Sequence, residues 1–580
     1  MSDNCKWTPL SWAAKEGHDA VVKALLERED VNPNMTDIGG RTPLSWAAGY
    51  GRCGVVRLLL GRKDVDPNSP DNDGRTPVWW AATLDFHNVV KLLMDLGDVN
   101  PNMTDKRGRT PLFCAAELGS YRVVQLLLER EDVTPNITND CGQTPLMVAA
   151  SSGSQKLMKL LLRREDVNPN RTDKIGQTPL LCAAGRGDDP VVKLLLERED
   201  VNPDIPDYNG QTPLAVAARF GYDGVVKLLL GWQGVNHNIT DRSGRTPLSW
   251  AAANGNDGVV QLLLGLEDVN PNMADIDGRT PLSWAANYGN DGVVKLLLER
   301  EDVSPNMTDI GGRTPLSWAA NCGHYGVVKL LLGRNDIDPN SPDNDGRTPV
   351  SRAIVQGFHK VVKLLLERGD VNPNKTDKLG RTSLFCAAER GSYPMAQLLL
   401  ERKDVTADIV NDLGETPLMM AAKNGSHKLV KLLLRREDVN PNRADRIGRT
   451  PLLCAAKGGD DPVVKLLLER EDVNQDIADY NGQTPLATAA RFGRDGVVKL
   501  LLGLQNLNPN ITDKCGRAPL SWAAAGGYDG VVQLLLGRED VNPNIPDDDG
   551  RTPFWWASRF GHERVVNLLR ARQSAIPNNV

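Results

Sequence analysis

The sequence lacks two features that mark common classes of protein: a long hydrophobic run and an excess of charge of one sign. Its longest apolar stretches are short pieces such as Val-Val-Lys-Leu-Leu-Leu, whereas a bilayer-spanning helix needs about 20 apolar residues. Its 68 basic and 74 acidic side chains nearly balance, so the basic surplus typical of phosphate binding is missing. We therefore expect neither membrane insertion nor nucleic-acid binding.

Residues that carry out chemistry are also scarce and scattered. The 580 residues include seven histidines and nine cysteines, with no Cys-x-x-Cys pair, no metal-ligand spacing and no nucleophile or phosphate-loop motif. We expect no metal, no cofactor, no catalytic residue and no small-molecule substrate, so the protein is predicted not to be an enzyme. The odd number of cysteines favours reduced thiols, which predicts an intracellular protein, cytoplasmic or nuclear.

What the sequence has in abundance is one repeated unit. Thr42 returns every 34 residues up to Thr552, Thr8 starts the series, and Ala518 replaces the threonine once. This spacing gives seventeen copies with no insertion or deletion between them. A fixed period of this length predicts a stacked-repeat solenoid, which offers a long surface rather than a catalytic pocket.

Local signals inside each repeat predict two helices and a turn. Thr42 followed by Pro43 favours a helix start, because threonine caps the first turn and proline fits the first helical position. Gly51 supplies the left-handed residue that ends this helix. The apolar band Val55–Leu60 is too wide for a one-sided surface helix, so we expect it to be buried on more than one side. Asp71–Gly74 predicts a tight turn before the next threonine.

The full pattern resembles the ankyrin repeat. Asp-x-x-Gly-Arg-Thr-Pro-Leu-x-x-Ala-Ala-x-x-Gly, then Val-Val-x-Leu-Leu-Leu and Asp-Val-Asn, recurs over residues 3–570. The resemblance implies an all-α solenoid in which each of seventeen repeats has a β-turn finger and two antiparallel helices, stacked into a curved array. The repeat has 34 residues rather than the family's usual 33, and its Asp-Val-Asn-Pro-Asn loop resembles that of large ankyrin proteins of filamentous fungi.

Two departures from the family pattern lead to further expectations. The usual histidine after Thr-Pro-Leu is a serine in six repeats, as in Ser45, which puts the histidine-centred hydrogen-bond network of the family in doubt. Repeat eleven reads Ser351-Arg352-Ala353-Ile354 where nearly all others have paired alanines. We expect repeat eleven to be the least regular joint of the array.

A second, longer period divides the chain. Residues 177–210 return as residues 449–482 with few changes, an offset of eight repeats. We therefore predict one block of eight repeats over residues 1–279, its tandem duplicate over 280–551, and a capping repeat with a tail over 552–580. Arg570 replaces the third leucine of the last repeat, which suits the polar outer face that a terminal repeat needs.

The resemblance implies a non-catalytic scaffold or adaptor that binds partner proteins through the concave surface of fingers and first helices. In this family the variable contacts come from the turn residues and from the two residues after Ala-Ala, where this chain has several tyrosine, arginine and phenylalanine side chains typical of interface hot spots. The candidate partner-binding residues are Tyr50, Tyr208, Arg219, Phe220, Tyr288, Tyr480, Arg491, Phe492, Arg559 and Phe560.

Several alternatives stay open at this point. The aromatic rings could lie over the next helix, and the recurring helix-one tryptophans could bind an aromatic or sugar ligand, although packing between repeats is the commoner role. The array could be the recognition part of a larger receptor or ubiquitin-ligase subunit with a domain upstream, or it could be appended to an enzyme. The return of Tyr208, Arg219 and Phe220 as Tyr480, Arg491 and Phe492 fits either simple lengthening or two binding surfaces.

Overall fold

The computed structural model describes residues 5–96 and 98–574. Within these residues every regular element is an α-helix, and the helices alternate as the first and second helix of each repeat. The repeat fold predicted from the sequence is therefore confirmed.

The first helices of the seventeen repeats begin directly after the recurring threonine position. They are α1 (Pro9–Glu16), α3 (Pro43–Gly49), α5 (Pro77–Thr83), α7 (Pro111–Glu117), α9 (Pro145–Ser152), α11 (Pro179–Arg186), α13 (Pro213–Phe220), α15 (Pro247–Asn254), α17 (Pro281–Tyr288), α19 (Pro315–Cys322), α21 (Pro349–Gln356), α23 (Ser383–Glu389), α25 (Pro417–Lys423), α27 (Pro451–Gly458), α29 (Pro485–Arg491), α31 (Pro519–Gly526) and α33 (Pro553–Arg559).

The second helices contain the Leu-Leu-Leu run. They are α2 (Asp19–Leu26), α4 (Cys53–Leu60), α6 (His87–Leu96), α8 (Tyr121–Leu128), α10 (Gln155–Leu162), α12 (Asp189–Leu196), α14 (Asp223–Leu230), α16 (Asp257–Leu264), α18 (Asp291–Leu298), α20 (Tyr325–Leu332), α22 (His359–Glu367), α24 (Tyr393–Leu400), α26 (His427–Leu433), α28 (Asp461–Leu468), α30 (Asp495–Leu502), α32 (Asp529–Leu536) and α34 (Glu563–Ser574).

The helices fall into two compact bodies. The first comprises residues up to Ala285 together with Lys295–Val303, and the second comprises Ala286–Val294 together with residues from Ser304 onward. In the first body α1 to α15 stack first helix on first helix, and α2 to α16 stack second helix on second helix. In the second body α19 to α33 and α20 to α34 stack in the same way. The core of each body is thus a continuous layer between two rows of helices.

Helix starts and stops follow the local sequence signals. Thr42 Oγ1 accepts a hydrogen bond from the backbone N–H of Ser45 at 3.2 Å, with Pro43 in the first helical position. Gly51 takes a left-handed backbone angle, φ 71°, directly after the helix end. Lys6 and Asp85, the two residues that break the glycine columns of the repeat, both keep a left-handed φ of 59°. The fold therefore imposes this conformation where glycine is missing, at an energetic cost for residues with a Cβ.

The apolar band of the second helix is buried less evenly than its composition predicts. In α4, Val55, Val56 and Leu59 are fully buried, whereas Leu58 and Leu60 are half-buried. Because α4 packs on α2, α3 and α6, it is buried on more than one side as the sequence predicts, although these two leucines are only half-buried. Each second helix packs on the first helix of its own repeat and on its neighbours in the row, and its remaining side faces solvent.

Arginines in the loops tie each repeat to the preceding one. Arg402 donates through Nε to Asp404 Oδ1 at 2.9 Å and through Nη1 to the carbonyl of Leu366, at the end of α22, at 3.0 Å. The cation thus meets the negative end of a helix dipole, and its hydrogen bond lowers the pKa of the Asp404 carboxyl. The bond to a carbonyl 36 residues earlier is shared by Arg62, Arg130, Arg164, Arg198, Arg300, Arg368, Arg402, Arg470 and Arg538.

Asparagines of the Pro-Asn loop form a second link between repeats. The Asn442 amide donates to the carbonyl of Asp472 at 2.5 Å, and its oxygen accepts the backbone N–H of Asn474 at 2.8 Å. Each such side chain satisfies one donor and one acceptor of the next loop. At Asp476, the same position one repeat later, a carboxylate replaces the amide, and its Oδ1 has no hydrogen-bond partner among the described residues.

Repeat eleven keeps the regular architecture despite its unusual sequence. Helices α21 and α22 begin at the usual positions of the repeat, and Ala353 and Ile354 are buried. Arg352 pairs with the buried carboxylate of Asp343, a role that tryptophan fills in several other repeats. The first helix of this repeat is therefore regular, whereas α22 ends at Glu367 and is followed by Arg368 in an extended conformation. The least regular joint stays a prediction.

We expect Ala518→Thr to stabilise repeat sixteen. Ala518 has the extended backbone of a helix cap but makes no side-chain capping bond, and Ser521 Oγ is buried without a partner. A threonine would accept the Ser521 N–H, a gain of about 0.5–2 kcal/mol. Hydrogen exchange over residues 518–536 should slow.

The duplicated repeat supplies the control for this substitution. Thr246, at the equivalent position eight repeats earlier, accepts from Ser249 N at 3.1 Å and bonds Ser249 Oγ at 3.1 Å. Thr246→Ala should speed exchange around α15 by a similar factor. Unchanged exchange in Ala518→Thr would contradict the assigned capping role.

We expect Asp476→Asn to stabilise the loop before α29 by about 0.5–1.5 kcal/mol at pH 7, through one recovered hydrogen bond. Burial raises the pKa of the Asp476 carboxyl, so ionisation costs the folded state free energy above that pKa. The cost disappears as the carboxyl is protonated at lower pH. The difference between wild type and variant, measured by local hydrogen exchange, should therefore shrink as pH falls from 7 towards 4.

Asn442→Asp is the matched control, because it introduces the same carboxylate one repeat earlier. It should destabilise its loop at pH 7 and recover at acidic pH. A stabilising effect of Asn442→Asp, or a neutral effect of Asp476→Asn, would contradict the role of the asparagine amide.

Candidate interaction surface

A buried aspartate organises most fingers and joins them to the first helix, and Asn139 and Asn411 take its place in two repeats. Asp241 Oδ1 accepts the backbone N–H groups of Ser243 at 2.8 Å and Arg245 at 2.9 Å, which closes the turn. Its Oδ2 accepts the indole N–H of Trp250 at 3.0 Å. Three hydrogen bonds thus compensate the burial of one carboxylate, whose residue is 8% exposed.

The helix-one tryptophans therefore act mainly in packing. Seven of them donate to the finger aspartate of the same repeat: Trp46, Trp80, Trp250, Trp284, Trp318, Trp522 and Trp556. Sequence reasoning singled out five of these and missed Trp80 and Trp556, although both lie at the same position of the repeat. Trp12 differs, since it is 47% exposed and packs against Trp7 with the ring centroids 4.5 Å apart.

The arginine before each threonine covers these rings instead of projecting freely. The Arg245 guanidinium lies 4.6 Å from the Trp250 ring centroid and 4.0 Å from that of Trp284 in the next repeat. In repeats without tryptophan the arginine itself bonds the aspartate, as Arg449 does to Asp445 at 2.7 Å. Because the finger aspartates are buried, these arginine–aspartate contacts are not exposed ion pairs.

Serine takes up part of the role left by the missing histidine. Ser249 Oγ lies 3.1 Å from Thr246 Oγ1, so serine and threonine bond each other as well as the helix backbone. Together with the indole–aspartate bond, this contact links finger and helix in the repeats of Ser45, Ser249, Ser283 and Ser317. In these repeats a network of Ser–Thr and Trp–Asp hydrogen bonds stands in place of the family's histidine-centred network.

All ten candidate partner-binding residues lie on the surface. The two at finger tips, Tyr208 and Tyr480, are 57% and 63% exposed. The other eight lie at the ends of first helices, and they are Tyr50, Arg219, Phe220, Tyr288, Arg491, Phe492, Arg559 and Phe560. Exposure leaves them available for binding, and their role as contacts stays a prediction.

The arginines among these ten residues differ from the aromatic residues in what they contact. Arg219 lies over the Trp250 ring of the next repeat at 4.7 Å, and Arg491 lies over Trp522 at 4.4 Å. Phe220 remains 53% exposed, with Tyr222 as its ring neighbour. The alternative that these residues lie over the next helix therefore holds for the two arginines and not for Phe220.

One groove brings several of these side chains together. It has a volume of about 480 Å³ and lies in the second body, across the ends of α25, α27 and α29 and the neighbouring fingers. Its lining residues are Lys423, Ile447, Arg449, Leu453, Cys454, Lys457, Gly458, Asp479, Asn481, Gln483, Thr488, Arg491 and Phe492. Sequence reasoning found Arg491 and Phe492 but missed Lys423 and Lys457, which the 34-residue spacing aligns with Arg491.

The thiol in this groove is not poised for nucleophilic chemistry. Burial raises the pKa of the Cys454 thiol to about 11, even though the nearby Arg449 cation opposes the shift. The thiol is therefore protonated at neutral pH and behaves as a small packing group. The same holds for Cys114 and Cys386, whose burial raises their pKa values to about 12 and about 11.

A second groove, of about 760 Å³, runs between α12 and α14 on the row of second helices and is lined by Leu196, Leu228 and Trp232 among others.

Among the residues that the structure describes, no group of three His, Cys, Asp or Glu side chains is placed to hold a metal ion. No helix in the described ranges is long and apolar enough to cross a membrane.

Comparison with known proteins identifies the repeat. A family model described as ankyrin repeats, in three copies, matches the chain in nine overlapping stretches: residues 1–71, 54–139, 126–205, 146–241, 214–309, 301–377, 369–445, 418–513 and 496–579. Together these stretches run along nearly the whole sequence. No curated protein matches the chain.

Proposed function

Because the chain belongs to the ankyrin-repeat family, we propose that it is a non-catalytic scaffold or adaptor that binds partner proteins through its fingers and first-helix ends. Ankyrin repeats generally mediate protein–protein interaction. The observation that carries the proposal is that exposed aromatic side chains recur at fingers and first-helix ends in each body: Tyr50, Tyr208 and Phe220 in the first, and Tyr288, Tyr480, Phe492 and Phe560 in the second. Exposed rings of this size favour a protein contact over a bare surface.

The chemistry of the described residues supports a binding role over catalysis. The buried carboxylates of the fingers accept hydrogen bonds from backbone, indole or guanidinium groups, as in Asp241 and Asp445. The buried cysteines are protonated at neutral pH. We propose further that the protein acts inside the cell, in cytoplasm or nucleus, and that its partners are proteins rather than nucleic acids or small-molecule substrates.

The proposal is tested by capturing proteins on the full-length chain and identifying them by mass spectrometry. Arg219→Ala/Phe220→Ala and Arg491→Ala/Phe492→Ala should each weaken capture of a specific partner, by roughly tenfold where the pair is a hot spot. If a dimeric partner uses both copies, the four substitutions together should weaken capture far more than the two pair effects combined. Effects that simply add would leave the duplication as lengthening.

Tyr121→Ala/Arg122→Ala is the matched control, since it likewise removes one aromatic side chain and one arginine, from the start of α8. Both side chains are exposed there, on the row of second helices. This variant should capture partners as well as the wild type does. Equal losses in all variants, or no specific partner for the intact chain, would overturn the proposed function.

A further inference from the structure

Three cations line one side of the groove in the second body. Lys423, Lys457 and Arg491 occupy the same position, the residue after Ala-Ala, in repeats thirteen, fourteen and fifteen. We call these three residues the basic row. All three are exposed and line the groove of about 480 Å³. At no other place in the sequence do three successive repeats have a cation at this position.

The basic row is not neutralised within the protein. None of its three residues has a carboxylate within 4.0 Å among the described residues, where ion pairs of other arginines are numerous. Arg491 donates to the neutral side chain of Gln483 at 3.2 Å, and Lys457 lies 5.5 Å from the Phe492 ring centroid. Arg449, deeper in the groove, is already paired with Asp445 and Glu415. Three positive charges therefore line the groove beside its apolar side chains, and one carboxylate, that of Asp479, is also part of the lining.

The helix dipole does not account for the row. A cation at the end of a helix is favourable, but the same position holds Glu117 in α7 and Glu389 in α23, each paired with the arginine of its own finger. The position therefore tolerates either sign of charge. Because the fold does not require lysine here, the clustering of three cations needs another explanation.

The equivalent positions eight repeats earlier differ from this groove in the basic row. Eight repeats earlier the row reads Ser151, Gly185 and Arg219, so two of its three cations are missing there. One cation, Arg186, lies beside the row, at the position of Gly458. The apolar neighbours Ile447, Leu453 and Phe492 return unchanged as Ile175, Leu181 and Phe220. The two copies thus share these apolar side chains and differ in the basic row, and Arg449 and Thr488 of the lining are Gln177 and Val216 in the first copy.

From this arrangement we propose that the basic row binds an extended acidic segment of a partner protein, with a carboxylate at every third residue, and that the first copy does not. This inference rests on the proposed function and specifies the chemistry of one partner. Neighbouring helices lie roughly 8–10 Å apart. A polyproline II segment rises about 3.1 Å per residue with three residues per turn, so residues three apart point the same way about 9 Å apart. One carboxylate then meets one cation of each repeat, and residues between them cover Phe492.

The test measures binding of fluorescein-labelled peptides to the full-length chain by fluorescence anisotropy. The probe is Glu-Pro-Ala-Glu-Pro-Ala-Glu, compared with Pro-Ala-Glu-Glu-Glu-Pro-Ala of the same composition and with the glutamine version of the probe. A short oligomer of deoxythymidylate and inorganic phosphate are the competing anions. The probe should bind best and weaken with added salt. Equal binding of the two glutamate peptides, or tighter binding of either competing anion, would overturn the proposal.

Exchanging residues between the two copies assigns binding to the basic row. Lys423→Ser/Lys457→Gly gives the second copy the residues of the first and should weaken probe binding by roughly tenfold or more. Ser151→Lys/Gly185→Lys builds the row in the first copy, where a Cβ at Gly185 lies 3.5 Å from Val216 Cγ1, an ordinary contact. This variant should bind two probes per chain. Unchanged affinity in the first variant, or one probe per chain in the second, would overturn the assignment.

Capture of proteins by the Lys423→Ser/Lys457→Gly chain separates the two proposals. If this chain and the wild type capture the same partners equally and the probe does not bind, the basic row is overturned while the proposed function stands. If the probe binds but the wild type captures no specific protein, the proposed function fails instead. Loss of acidic partners from the variant, with its thermal melting unchanged, supports both.

Discussion

The hydrogen bonds of the finger aspartate are the interactions on which the geometry of the repeats depends. A carboxylate buried in a small helical repeat is costly unless every lone pair is used. Here Asp241 closes the turn through two backbone N–H groups and reaches the first helix through Trp250. In this way one side chain fixes the direction in which the finger leaves the helix. Without that fixed direction, the surface residues of successive repeats would not line up.

The same carboxylate accepts different partners in different repeats. Trp250 supplies an indole N–H, Arg449 supplies a guanidinium, and Arg352 does so from the position usually held by tryptophan. Trp250 and Arg352 reach the carboxylate from the first helix, whereas Arg449 reaches it from the finger itself. This interchange explains why the finger of repeat eleven keeps its contact with the first helix although tryptophan is missing there.

Uniform packing leaves the surface free to diverge. The links between repeats come from backbone atoms and from arginine and asparagine in the loops, as Arg402 and Asn442 show. None of these loop links uses the side chain of the residue after Ala-Ala on the first helix, although Arg219 and Arg491 at that position lie over a tryptophan of the next repeat. The position holds residues as different as Glu389, Lys457 and Ser151, and Lys457 stands where the first block has Gly185.

The sequence by itself determined the repeat, the helix bounds and the class of surface, because these depend on contacts within a few residues. Thr-Pro starts a helix and glycine ends it whatever the neighbouring repeat contains, and even Asp85 keeps the glycine conformation. Exposure was also predictable for residues at turns and helix ends, such as Tyr480 and Phe220.

Only the tertiary structure decided which groups are paired. The indole of Trp250 and the carboxylate of Asp241 meet because finger and helix fold together, and Leu58 is half-buried because neighbouring repeats cover only part of its helix. Lys457 lies 5.5 Å from the ring centroid of Phe492, which belongs to the next repeat. Such contacts follow from how repeats stack, and stacking places in contact residues that no local pattern connects.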